Sequence, residues 1–263
     1  MPKRTITYAV VDAFTDQPFK GNTAAICLLE DIWEDEQWMQ SVATEFNTSI
    51  TVFLVRAGAD DGSAGKSDAD AVNSRFHIRW FTPVRESELC GHGTLAAAHY
   101  LISSGHLKCD AIDFLAKSGV LTAKKIVDSK QFSTSIEKCT YLEMPSVPET
   151  LNGASINNVL KTISDSAADL IVELNSSEEV VNVHPNIAEL VQCAGRGVAV
   201  TGTAPAGCSY DFFTRFFCPK YGLNEDPVCA SVHCALAPYW GKKLGKQLMT
   251  AFMASSRSGI LYL

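Results

Sequence analysis

Apolar and polar residues alternate with a period near two in RFHIRWFTP (75–83), which predicts a β-strand closed by Pro83, and TITYAVVDAF (5–14) has the residue types of another. SITVFLV (49–55) is a third strand by its β-branched and aromatic content. Between the first and the third the period changes. Trp38, Val42 and Phe46 recur every four residues in EDEQWMQSVATEFN (34–47), the stripe of an amphipathic helix, and QPFKGNTAAICLL before it turns at Lys20-Gly21-Asn22. The small-residue run from Thr94 to Ser103 predicts a helix that stops near Gly105, and IDFLAKSGVLTAKKI (112–126) predicts a hairpin through Ser118-Gly119. Farther on, 155–163 and 185–193 are predicted helices, and 170–174, 180–183, 197–201 and 210–217 are predicted strands. The polar, Gly/Ala/Ser-rich stretch 57–74 is predicted as a flexible hairpin loop. ILYL (260–263) ends the chain on an apolar, strand-like run. A strand of that kind needs a partner, so the expectation is a sequence short of its last one or two strands.

Two segments match each other. Arg79-Trp80-Phe81-Thr82-Pro83 has the pattern of Arg215-Phe216-Phe217-Cys218-Pro219, and Cys90, Ala96, Ala98 and Tyr100 match Cys229, Ala235, Ala237 and Tyr239 in a common register. An internal duplication follows: two similar halves, each running strand, Pro-containing loop, helix, facing each other across a cleft of the kind that binds ligands. The expected crossing lies near residues 116–120. It divides the chain into 1–117, joined by the C-terminal segment 250–263, and 118–249.

Composition narrows the function classes. A net charge of −7 lacks the basic footprint of a nucleic-acid binder. No apolar run approaches the ~18 residues of a membrane span, and the N-terminus carries no signal-peptide core. The nine cysteines form no CxxC pair and no regular framework, so the expectation is a cytoplasmic protein with free thiols and no metal.

Chemistry concentrates at the two loop–helix junctions. Cys90-Gly91-His92-Gly93-Thr94 is a Gly-rich turn opening a helix. Its unpaired N–H groups and helix dipole suit an anion, and Gly91 and Gly93 let backbone approach a ligand. Cys229-Ala230-Ser231 offers a less open version. The same dipoles are expected to lower the pKa of Cys90 and Cys229, as two thiols for racemisation require. The alternative is that each is a small buried hydrophobe. Glu45, Asp226 and His92 compete for the acid/base role, whereas His99 and His233 read as structural.

VDAFTDQPFKGNTAAICLL, ATEFNTSITVFLV, RWFTPVRESELCGHGTLAAAHYL, FLAKSGVL and RFFCPKYGLNEDPVCASVHCALAPYW resemble the phenazine-biosynthesis PhzF-like isomerases, which share the diaminopimelate epimerase fold. The resemblance implies an α+β fold of two pseudo-symmetric halves, each a curved, mostly antiparallel, β-barrel-like sheet around a central helix, with the active site between them. It also implies no cofactor or metal and usually a homodimer. The family's acid/base glutamate falls on Glu45, and its substrate contacts fall on Gly91, His92, Asp226, Ala230 and Ser231. These residues imply proton movement on a small carboxylate-bearing metabolite, with dihydro-hydroxyanthranilate the phenazine enzyme's own substrate. Ala230 replaces the family's usual Gly, and Ile50 stands where an acidic residue usually follows Ser49. Cys90 and Cys229 fall where diaminopimelate epimerase keeps its catalytic thiols, so a two-cysteine racemase or epimerase is the second expectation. A catalytically inactive metabolite-binding protein is the third.

Overall fold

The computed structural model describes residues 5–29, 35–58, 75–107, 109–125, 132–134, 140–143, 155–163 and 168–263. Most of the loop expected at 57–74 lies outside them. The chain divides into two compact units, Met1–Ala13 with Thr23–Ile136 and Phe14–Asn22 with Glu137–Leu263.

The first unit holds β1 (Thr7–Ala13), β2 (Asn22–Leu29, its first residue belonging to the second unit), α1 (Glu36–Phe46), β3 (Ile50–Arg56), β4 (Arg75–Phe81), β5 (Glu86–Ser87), α2 (Gly91–Ser103), β6 (Ala111–Ala116), β7 (Gly119–Lys125) and β8 (Phe132–Thr134). Its sheet runs β1-β2-β3-β4-β6-β7-β8, with β5 on β4. α1 buries Met39 and Ala43 against Phe53 and Phe81 on one face. It ends where Asn47 takes a left-handed conformation (φ 48°) and donates its N–H to the Ala43 carbonyl.

α2 takes the other face and touches β1, β3, β7 and β8, strands at both ends of the order. At about 4.8 Å per strand, a flat sheet this wide outreaches one helix, so the sheet curls around α2. Small residues make that possible. A Cβ on Gly93 would lie 3.0 Å from Val52 Cγ2, 3.2 Å from Ile50 Cγ2 and 3.2 Å from Trp80 Cδ1. Ile50 is thus a core residue beneath α2, where a carboxylate would be buried without a partner.

The second unit repeats the plan with β9 (Thr140–Glu143), β10 (Ile156–Ile163), β11 (Leu170–Leu174), α3 (Ser177–Asn182), α4 (Ile187–Gln192), β12 (Val198–Thr203), β13 (Phe212–Cys218), β14 (Leu223–Asp226), α5 (Ala230–Leu244), β15 (Thr250–Met253) and β16 (Gly259–Tyr262). Its sheet runs β16-β15-β13-β12-β11-β10-β9, with β14 on β13. Strands β10 to β16 correspond in order to β1 to β7. The parallel pairs fall at matching places: β2/β3 with β11/β12, and β4/β6 with β13/β15. Val232, Ala235, Leu236 and Trp240 of α5 pack on one face, and Val180 and Leu190 from α3 and α4 pack on the other.

The duplication extends to side chains. Arg79 Nε meets Glu86 at 2.7 Å with its guanidinium 5.1 Å from the Phe81 ring, and Arg215 Nε meets Glu225 at 2.7 Å with its guanidinium 5.0 Å from the Phe217 ring.

The fold is α+β with two matching halves, as expected, each a mixed and mostly antiparallel sheet, and no closed barrel forms among the described residues. Other expectations need correction. Residues 119–125 and 132–134 stay on the first sheet, whereas 250–253 and 259–262 extend the second rather than returning to the first half, because β15 pairs with β13. β16 pairs with β15, and Leu263 and Met249 exchange backbone bonds of 2.9 Å.

Within 155–163, predicted as a helix, Ile156–Ile163 form a strand. A bulge between Ile156 and Asn158 breaks the alternation, and Val159 and Leu160 are buried in different clusters on opposite faces. Residues 180–183, predicted as a strand, mostly belong to α3, which Ser176 caps by accepting from the Glu179 N–H at 3.2 Å.

Candidate functional site

Glu45 lies on the last turn of α1, off the face that buries Met39 and Ala43. It is exposed and, among the described residues, makes no hydrogen bond or ion pair. A carboxylate held by nothing in its own fold is available to a substrate.

The opening of α2 binds itself into a chain of polar contacts. His92 is buried, with Nδ1 3.3 Å from Cys90 Sγ and Nε2 3.3 Å from Ser49 Oγ. Ser49 gives its one hydroxyl proton to the Thr23 carbonyl at 2.6 Å, so in the second contact the imidazole is the donor. That assigns the proton to Nε2 and leaves Nδ1 as the acceptor facing the half-buried Cys90 thiol. Burial pushes His92 down to about 4, against a weaker opposing bond to the Thr23 carbonyl, so the ring is neutral at pH 7.

The opening of α5 is built differently. Asp226 accepts from Asn22 Nδ2 at 2.6 Å and from the Val228 N–H at 3.2 Å. Burial pushes its carboxyl up to about 6, opposed first by the Arg196 charge. Arg196 spans the base of the loop. It holds Asp169 through Nε (2.9 Å) and Nη2 (2.6 Å), donates Nη2 to Ser231 Oγ (2.8 Å) and lies 4.0 Å from Cys229 Sγ.

Two glycines permit this placement. A Cβ on Gly195 (φ +86°) would lie 2.1 Å from the Ala168 carbonyl oxygen, and one on Gly197 would lie 2.6 Å from that of Phe217. Ala230 is half-buried at the first position of α5.

The expected lowering of both thiols fails at Cys229. Burial pushes that thiol up to about 12, and the Asp226 carboxylate beside it adds to the rise, outweighing the cation and the helix end. Cys90 and Cys229 are therefore unequal: one is half-buried beside an imidazole acceptor, the other buried beside a carboxylate.

The two helices hold matched first-turn contacts. Thr94 Oγ1 donates to the Cys90 carbonyl at 2.8 Å, and His233 Nδ1 bonds the Cys229 carbonyl at 2.7 Å. His233 is buried and stacked 5.9 Å from the Phe212 ring. Its Nε2 is buried without a partner among the described residues.

Four residues that sequence reasoning missed belong to these clusters: Asn22, Ser49, Asp169 and Arg196. The Gly195-Arg196-Gly197 triplet was the one available signal, a cation between two residues that allow tight backbone approach. Among the described residues no group of three His, Cys, Asp or Glu is arranged to hold a metal, and no helix is long and apolar enough to cross a membrane.

Burial of the two imidazoles makes stability depend on pH. Each is pushed down to about 4, so between pH 6.5 and 4 the unfolded chain binds protons that the folded state refuses. Stability conferred by the neutral rings is present above pH 6.5 and lost as pH falls through that window. Asp226 and Asp169, raised by burial, act in the opposite sense. Comparing a variant with the parent isolates the imidazole. His233→Gln is expected to flatten the decline by about 1.4 kcal/mol per pH unit, read from urea unfolding between pH 4 and 6.5. Parallel profiles would contradict a neutral buried His233.

Comparison with known proteins gives a family-wide match. Residues 11–263 match the PhzC-PhzF family, phenazine biosynthesis-like protein. An uncharacterized isomerase of Halalkalibacterium halodurans is 39% identical over 253 residues, covering 96% of this chain and 88% of that protein. An uncharacterized isomerase of Pseudomonas aeruginosa is 36% identical over 252 residues, covering 96% of this chain and 88% of that protein. The crystal structure of a phenazine biosynthesis PhzC/PhzF protein from Clostridium difficile superposes with a TM-score of 0.81 at 34% identity, covering 98% of this chain and 90% of that one.

Proposed function

Because the chain belongs to the phenazine biosynthesis-like family, we propose that it is a cofactor-independent isomerase that moves a proton on a small carboxylate-bearing metabolite. Glu45 is the general acid/base, taking a proton from carbon and returning it elsewhere. His92, neutral and donating through Nε2, and Asp226 orient the substrate and meet developing charge. The open turn at Gly91 and Gly93 and the first turn at Ala230 and Ser231 bind the carboxylate. The proposal includes a cytoplasmic homodimer without a nucleic-acid or membrane partner.

The observation that supports this reading is the placement of Asp226 at the opening of α5, where Asn22 Nδ2 at 2.6 Å and the Val228 N–H at 3.2 Å anchor one carboxylate oxygen. Burial pushes its carboxyl up to about 6, which suits a group that meets developing charge while Glu45 acts as the acid/base. The test is solvent exchange. In deuterium oxide the protein is expected to place deuterium on carbon of dihydro-hydroxyanthranilate or of a panel of anthranilate-like acids and amino acids. Tight binding without exchange would instead leave a metabolite-binding protein that kept the scaffold.

One contact favours a second reading, a two-cysteine racemase or epimerase. The Cys90 thiol lies 3.3 Å from a neutral imidazole nitrogen that can accept a hydrogen bond from it, which orients a thiol at the helix opening. In that reading Cys90 removes the proton and Cys229, held protonated, returns it. Iodoacetamide at pH 7.5 is expected to modify Cys90 before Cys229, with substrate protecting it. Normal turnover by Cys90→Ser and Cys229→Ser would eliminate this reading and leave the first.

A further inference from the structure

Asp226 is gripped by a side chain to which the proposed reaction gives no part. Asn22 is fully buried. Its Nδ2 donates to Asp226 Oδ1 at 2.6 Å and to the Val228 carbonyl at 3.0 Å. Both amide protons are thereby committed to the loop that enters α5, and their partners fix which way the amide faces. The Val228 N–H reaches the same carboxylate oxygen at 3.2 Å, so Oδ1 is the anchored atom of Asp226.

Asn22 is in turn held by an anchored strap. Gly21, at φ +73°, donates its N–H to the Ser258 carbonyl at 2.8 Å. Arg257 donates Nε to the Gly21 carbonyl at 2.9 Å and Nη2 to the Lys20 carbonyl at 3.1 Å. The same turn holds the loop from its other end, where Ser255 Oγ donates to the Pro227 carbonyl at 2.7 Å. The segment 255–258 therefore sets the positions of both Asn22 and the Asp226 loop, which is more than a packing contact requires.

We propose that Asn22 is the positioning residue of Asp226: its side-chain amide aims the carboxylate and stabilises the ionised form, with the strap at 20–22 and Arg257 holding it in place. The importance of this for turnover rests on the reading of Asp226 as a group of the reaction site. Hydrogen bonds to a carboxylate favour its ionised form, whereas burial favours the protonated one. Among the described residues the other groups facing Asp226 are the Arg196 guanidinium and the Cys229 thiol, which both favour ionisation, and the Cys218 thiol. With the Asn22 donors removed, burial is less opposed and the carboxyl titrates at higher pH.

The test is Asn22→Leu, which keeps the volume and deletes both donors. The Asp226 carboxyl is followed by carbon-13 NMR titration, assigned with Asp226→Asn, with circular dichroism as the check on folding. Its midpoint is expected to rise by about one pH unit. Arg257→Met loosens the strap without touching the carboxylate and is expected to give a smaller rise; it decides the matter should Asn22→Leu not fold. An unmoved midpoint in a folded variant overturns the proposal. The pH profile of kcat/KM for deuterium exchange on dihydro-hydroxyanthranilate separates the two ideas. If the NMR midpoint moves and the rate profile stays, Asn22 is the positioning residue and Asp226 is not a reacting group.

Discussion

Glu45→Gln is expected to reduce proton exchange by roughly 10²- to 10⁴-fold while ligand affinity stays nearly unchanged. Glutamine keeps the shape and helix propensity of glutamate and loses only the ability to take and return a proton. Position 45 is exposed on the last turn of α1 and has no partner among the described residues, so nothing in the fold depends on its charge. Thermal unfolding should match the parent within about 0.5 kcal/mol, as for other surface changes. Deuterium incorporation gives the rate and titration calorimetry gives the affinity. Full activity in this variant removes Glu45 from the acid/base role. A loss of both activity and affinity would assign it to binding instead.

Arg196→Met should cost about 3–5 kcal/mol of stability. The guanidinium is largely covered, with its side chain 19% exposed, and the Asp169 side chain it holds is 5% exposed. Methionine fills much of the space but leaves Asp169 as a buried carboxylate without its counter-charge. It also releases Ser231, the second residue of α5. Urea unfolding at pH 7 reads the loss. The double change Arg196→Met with Asp169→Leu should recover most of it, because neither charge then remains buried alone. If the single and double variants unfold at the same urea concentration as the parent, the pair contributes nothing and the loop at 195–197 is held by its backbone alone.

The parts of this molecule that could be read in advance are those whose signal is local. The four-residue stripe of Trp38, Val42 and Phe46 locates α1 and flanks its buried residues Met39 and Ala43. The period of two in 75–83 names β4. The matched Arg-aromatic-Phe-x-Pro segments name the duplication that the strand orders and the Arg79–Glu86 and Arg215–Glu225 pairs display. Where reading failed, two local signals competed or a bulge shifted the phase. At 180–183 the β-branched Val180, Val181 and Val183 argued for a strand, but Ser176 with Glu179 three residues on is a helix-start signal, and it prevailed. At 156–158 a bulge re-phases the alternation, and no composition rule locates a bulge.

The candidate site divides the same way. Cys90, His92, Asp226 and Cys229 are legible because each sits in a short motif at a helix opening. Arg196, Ser49 and Asn22 are not, because their partners lie 35, 43 and 204 positions away in the chain.

The amino-acid sequence by itself determined the repeat, the helix openings and the residue types that stand there, since these follow from spacing and from what glycine, cysteine and histidine allow. Tertiary structure alone decided their chemical state. Cys229 is held as a thiol by burial and a neighbouring carboxylate, His92 is neutral with its proton on Nε2, and Asp226 titrates at about 6. A pKa depends on how much water a group has lost and which charges and donors replaced it, and here those replacements come from remote strands and loops that only folding brings alongside.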